Sequence, residues 1–136
     1  MTSVEARHRQ GLAGLSRLLA GVGALEGAAG VALAAASAHA IPSEALGSAA
    51  TLLMAHAGIV VALALIAGHC EQRLGRLLRL SAGLIGLGVG LFAVAICLRV
   101  LGGVAPPRGM APLGGTITMI GWLSLLVPVL LPGRKG

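Results

Sequence analysis

Four apolar runs, separated by short stretches that hold most of the charge, set the pattern of this chain. They fall at about 12–39, 46–68, 77–101 and 111–131. Each is long enough as a helix to cross a hydrocarbon core of about 30 Å, which takes roughly 20 residues. Between the first two, Ile41-Pro42-Ser43-Glu44 supplies a proline that stops one helix and a serine that can cap the next. Gly68 to Arg79, with His69, Cys70, Glu71, Arg73, Arg76 and Arg79, separates the second run from the third. Gly102 to Ala111 separates the third from the fourth, with Gly102-Gly103 and Pro106-Pro107 as breakers. Pro112 suits the first turn of the last helix, and Pro128 should kink or fray its end.

The pattern predicts an all-α fold, an integral membrane four-helix bundle. Its parts are a polar leader at 1–11, one four-span domain at 12–132 and a basic tail at 133–136. A cleaved secretory signal is the competing reading of the leader, since Ala38-His39-Ala40 mimics a small-x-small site. The apolar stretch before it is about twice the usual 7–15-residue signal core, and three more apolar runs follow.

Composition strengthens this picture. The chain is 57% hydrophobic and 10% charged, against roughly 45–50% and about 25% in ordinary soluble domains. Twenty-two glycines, one Phe, one Trp and no Tyr argue against a soluble β protein and for helices packed through small side chains. The formal net charge of +6 could suggest nucleic acid. The basic residues lie between apolar runs without interleaved aromatics, so they are assigned to membrane orientation and lipid headgroups.

Cytoplasmic loops of membrane proteins hold the excess of Lys and Arg. Arg7, Arg9, Arg17, Arg73, Arg76, Arg79, Arg134 and Lys135 fall on one side of the four-span scheme, leaving Arg99 and Arg108 on the other. That split places both termini in the cytoplasm, in a multi-pass protein of the inner (plasma) membrane.

Small residues recur at helical spacing: Gly23 and Gly27, Gly58 and Ala62, Ala82 with Gly86 and Gly90, and Gly114 with Thr118. In lipid such surfaces let helix backbones approach closely, so Gly23, Gly27, Gly58, Gly86 and Gly90 are expected to pack helix against helix.

One acid interrupts the first run. A charged side chain at mid-membrane costs about 2.5–3.5 kcal/mol on insertion scales, so Glu26 should point into the bundle rather than into lipid. At about 1.5 Å rise per residue it lies about 21 Å from the cytoplasmic end of the first span. His56 lies about 15 Å from the outer end of the second on the same rise, near the same level. An intramembrane polar pair, Glu26 with His56, follows as an expectation. A neutral Glu26 bonded to a backbone carbonyl, with His56 satisfied elsewhere, is the simpler alternative.

The remaining reactive residues do not converge. His39 and His69 fall at opposite ends of the spans, and His69-Cys70-Glu71 lacks a metal-ligand spacing, so neither metal nor cofactor is expected. Cys70 and Cys97 also fall at opposite ends, too far apart for a disulfide. No phosphate loop, dinucleotide fingerprint or nucleophile-base-acid set is present in the sequence, and catalysis is not expected.

Several segments also form a pattern: Gly23-Ala24-Leu25, Ala34 through His39, Met54-Ala55-His56-Ala57, and Ala111-Pro112-Leu113-Gly114-Gly115 with Gly121-Trp122. On these the chain resembles a divergent member of the domain of unknown function 423 family, small four-span membrane proteins. Glu26 stands where the family would have a small or weakly polar residue. The resemblance implies the four-span fold and no established activity. It singles out His39, His56, Pro112, Gly114, Gly115 and Trp122, with fold maintenance as the role expected of Pro112 and the glycines.

Two kinds of function fit these features. The first is a non-catalytic accessory or assembly subunit that packs with itself or with a larger membrane complex, its other partners being membrane lipids and no nucleic acid. The alternative is proton-coupled or small-solute transport through Glu26 and His56.

Overall fold

The computed structural model describes residues 3–130, and the basic tail and the last residue of the expected fourth span lie outside the described residues. Among the described residues every regular element is helical: α1 (Ser3–His39), α2 (Glu44–Ala67), α3 (Gln72–Val100), α4 (Met110–Ser124) and the short α5 (Leu126–Leu130). Among the described residues four segments are long and apolar enough to cross a membrane: Ala13–His39, Glu44–Ala67, Gln72–Val100 and Met110–Pro128.

The boundaries follow local chemistry. At the start of α2 the Ser43 hydroxyl accepts the Leu46 N–H at 3.3 Å. This satisfies one of the orphan amides of the first turn. Before α4 the backbone turns through Gly109 at φ 83, a left-handed conformation that favours glycine. The fourth span breaks after Ser124, four residues ahead of Pro128. Proline cannot donate to the carbonyl four residues back, and its ring crowds that carbonyl. α1 begins well before the expected span. No glycine or proline separates Ser3 from Gln10, so its helix runs unbroken into the leader.

The helices run up and down in sequence. α1 lies antiparallel to α2, with Gly23 against Ala57 and Val60 and Gly30 against Ala50 and Met54. α2 packs antiparallel on α3 through Ala49 and Leu53 against Val89 and Ala93, and through Val60 against Ala82 and Ile85. α4 packs antiparallel on α3, with Gly114 against Gly88 and Phe92 and Gly121 against Ile85. α1 also touches α3, so α1, α2 and α3 form a three-helix cluster, while α4 packs on α3 and meets α2 where Trp122 lies against His56.

Two corrections concern packing. Gly58 was expected on a helix seam, but it is exposed and a Cβ there would meet nothing within 4 Å. The α2 face against α1 is made instead by Ala57 with Val60, because each step along a helix rotates the side chain by about 100°. The fourth helix of the expected bundle is also less enclosed, since among the described residues its extensive seam is with α3 alone. Large apolar side chains cover the outside, Leu25 being 72% exposed and Leu18 64%. This suits hydrocarbon rather than water as the surrounding medium.

Candidate functional site

Glu26 turns inward where its neighbour Leu25 turns out. It lies on one stripe of α1 with Ser16, Leu19, Gly23 and Gly30, at the three- and four-residue spacing that shares a helix face. Opposite runs a stripe of α3: Gly75, Arg79, Ala82, Gly86 and Gly90. The carboxyl group settles over the two glycines. A Cβ on Gly86 would stand 3.5 Å from Oε2, and one on Gly90 would stand 3.2 Å from Oε1. The missing side chains make the room that the acid occupies. Oε2 is buried and has no hydrogen-bond partner.

The contact between Gly27 and the Cβ of Ala57 puts Glu26 and His56 at a similar height, yet no hydrogen bond or ion pair joins them. His56 Nδ1 lies 2.7 Å from the carbonyl oxygen of Leu52. A carbonyl only accepts, so Nδ1 carries the hydrogen and Nε2 faces away from that bond. The imidazole and the indole of Trp122 in α4 form a T-shaped pair, with ring centroids 6.0 Å apart and planes at 74°. The two residues share a depth but not a direction: Glu26 faces α3 from the α1 side, and His56 faces α4.

The other positions singled out by the resemblance disperse. His39 is exposed in the last turn of α1, beside the start of α2, and about 18 Å along the helix rise from His56. Pro112 is exposed in the first turn of α4. Gly114 is buried on α3, whereas a Cβ on Gly115 would meet open space. Trp122 is 42% exposed. Among the described residues no three of His, Cys, Asp and Glu gather as a metal site.

The buried polar group that spacing left unnoticed is Arg79, only 6% exposed. Its Nη1 donates to the carbonyl of Ala67 at 3.1 Å and approaches the Ser16 hydroxyl at 3.4 Å. One guanidinium thus joins the end of α2 to α1 and α3, where helix C-termini favour positive charge. Gly75, one turn earlier, leaves the gap, for a Cβ there would stand 2.6 Å from the Ala67 oxygen. The signal was present in the sequence: Arg79 is in register with the small residues of its stripe, while Arg73 and Arg76 are exposed. Further along α3, Ser81 and Ser124 share a hydrogen bond of 2.6 Å that ties α3 to α4.

At the other end of the bundle lie two recesses. One, of about 730 Å³, is lined by Ser37, Ser43, Ser48 and Thr51 with Glu44 beside them. The second, of about 620 Å³, lies between α3 and α4 and holds Arg99 and Arg108. Comparison of the chain with protein-family models, with curated proteins and with solved structures finds no match.

Proposed function

We propose that this is a multi-pass protein of the inner membrane, both termini cytoplasmic, acting without catalysis as an accessory or assembly subunit that packs with itself or with a larger membrane complex. The observation that carries this reading is the use of buried polarity. Arg79 bonds to α1 and α2, Ser81 bonds to Ser124, and the Ser37 hydroxyl donates to the Ser43 carbonyl at 3.0 Å. Each contact joins helices or steadies the turn between them. Held in this way, the three-helix cluster supports α4 on a single seam, with Leu113, Met119, Ile120 and Leu123 exposed along it. Resemblance to the domain of unknown function 423 family supports the same reading, because it brings a fold and no activity. Affinity purification from native membranes in mild detergent tests it. A reproducible larger assembly is the expected result, and monomer alone would refute it.

One observation favours a second reading, proton-coupled or small-solute transport. Glu26 Oε2 is buried without a partner in a site made by two glycines. Buried polar groups without partners are rare enough to call for an explanation. Proton and solute flux in proteoliposomes would fall in Glu26→Gln if the acid carries that role. Flux equal to wild type in both Glu26→Gln and His56→Ala would dismiss it.

A further inference from the structure

We propose that the recess between the end of α3 and the start of α4 is a phospholipid site, in which Arg99 and Arg108 hold the phosphate of an anionic headgroup. The proposal rests on the membrane-spanning reading and adds a specific ligand to it. Arg99 stands in the last turn of α3, and Arg108 lies just before α4. The ends of two spans therefore bring both arginines to interfacial height, where both line one recess of about 620 Å³. Neither is neutralised: both are exposed, and among the described residues neither has an ion-pair partner. The sequence has no Asp or Glu from Gln72 onward.

The rest of the lining is apolar, with Val104, Pro106, Pro107 and Met110. A phosphodiester carrying glycerol and acyl chains meets both needs, charge at the arginines and apolar wall beside them. The planar fork of arginine matches phosphate oxygens two at a time. The loop that shapes the recess is held by its own backbone, Val104 N–H donating to the Leu98 carbonyl at 3.0 Å and Met110 N–H to the Pro107 carbonyl at 3.1 Å. Charge placement agrees. These are the two arginines that the positive-inside count leaves on the outer face, where basic residues are disfavoured, and both line this recess.

The test uses the full chain reconstituted in phosphatidylcholine vesicles containing phosphatidylglycerol, extracted in mild detergent and weighed by native mass spectrometry. Wild type is expected to retain phosphatidylglycerol in preference to phosphatidylcholine. Arg99→Gln/Arg108→Gln should weaken that retention about tenfold, and Arg73→Gln/Arg76→Gln, which removes equal charge at the opposite end, should leave it unchanged. Arg108→Gln alone, outside every helix, should give a partial loss and serves where the double variant does not fold. Unchanged retention in Arg99→Gln/Arg108→Gln, or equal loss in both double variants, overturns the proposal. Displacement of the lipid by millimolar inorganic phosphate would make the site one for a soluble anion and overturn the lipid assignment. Failure of wild type to enter vesicles would strike the membrane reading instead.

Discussion

Glu26 lays its carboxyl group on the bare backbone of Gly90, where an added Cβ would stand 3.2 Å from Oε1. The acid and the glycine therefore form a matched pair of large and small. Gly90→Val should overpack the α1–α3 contact and cost about 1–3 kcal/mol. Shortening the acid should return part of that loss. Thermal unfolding in detergent of Gly90→Val, Glu26→Ala and the double variant measures the coupling, expected at about 0.5–3 kcal/mol for groups in contact. Strict additivity would mean that the two do not share this space.

Arg79 offers a larger effect. Removing the guanidinium leaves the Ala67 carbonyl and the Ser16 hydroxyl without it at a three-helix junction. A buried group stripped of its hydrogen-bond partner costs about 1–3 kcal/mol, more where charge is involved. Arg79→Ala should lower the unfolding temperature, and Arg76→Ala, from an exposed position one turn away, should leave it nearly unchanged. Equal melting of the two variants would show that the junction does not depend on this bond.

Much of the fold was legible because a bilayer imposes a simple demand. Every backbone amide must be satisfied within the span, so apolar runs of sufficient length become helices and Pro42, Gly102-Gly103 and Pro106-Pro107 mark the breaks between them. Depth was legible too. A rise of about 1.5 Å per residue set Glu26 level with His56, and the contact of Gly27 with Ala57 agrees. Direction was not, because it depends on how each helix rotates against neighbours that sequence spacing does not identify. Glu26 found Gly86 and Gly90, while His56 found Leu52 and Trp122. Gly58 failed as a packing residue for the same reason, one position away from the seam at Ala57. Arg79 was read only as one of the charges flanking the spans, and its register on the small-residue stripe of α3, which goes with its burial, was not used.

The bond between Ser81 and Ser124 is the polar fastening of α4 to α3. Interhelical hydrogen bonds in membranes average about 0.6 kcal/mol and reach about 1.7. Ser81→Ala and Ser124→Ala should each lose an amount in that range, and the double variant should lose less than their sum. Detergent unfolding curves for the three variants provide the cycle.

The contact of His56 with Trp122 gives a direct optical test of how α4 sits. The chain has a single tryptophan, so its fluorescence reports one site. The imidazole and indole rings meet in a T-shaped arrangement, the imidazole coming from α2, a helix with which α4 has no extensive seam. His56→Ala should therefore change the intensity and position of the Trp122 emission, since removing the ring opens one side of the indole to lipid or detergent. His39→Ala, at the exposed end of α1, should leave the spectrum as it is. Identical spectra for wild type and His56→Ala would place α4 away from α2 and leave α3 as its only support.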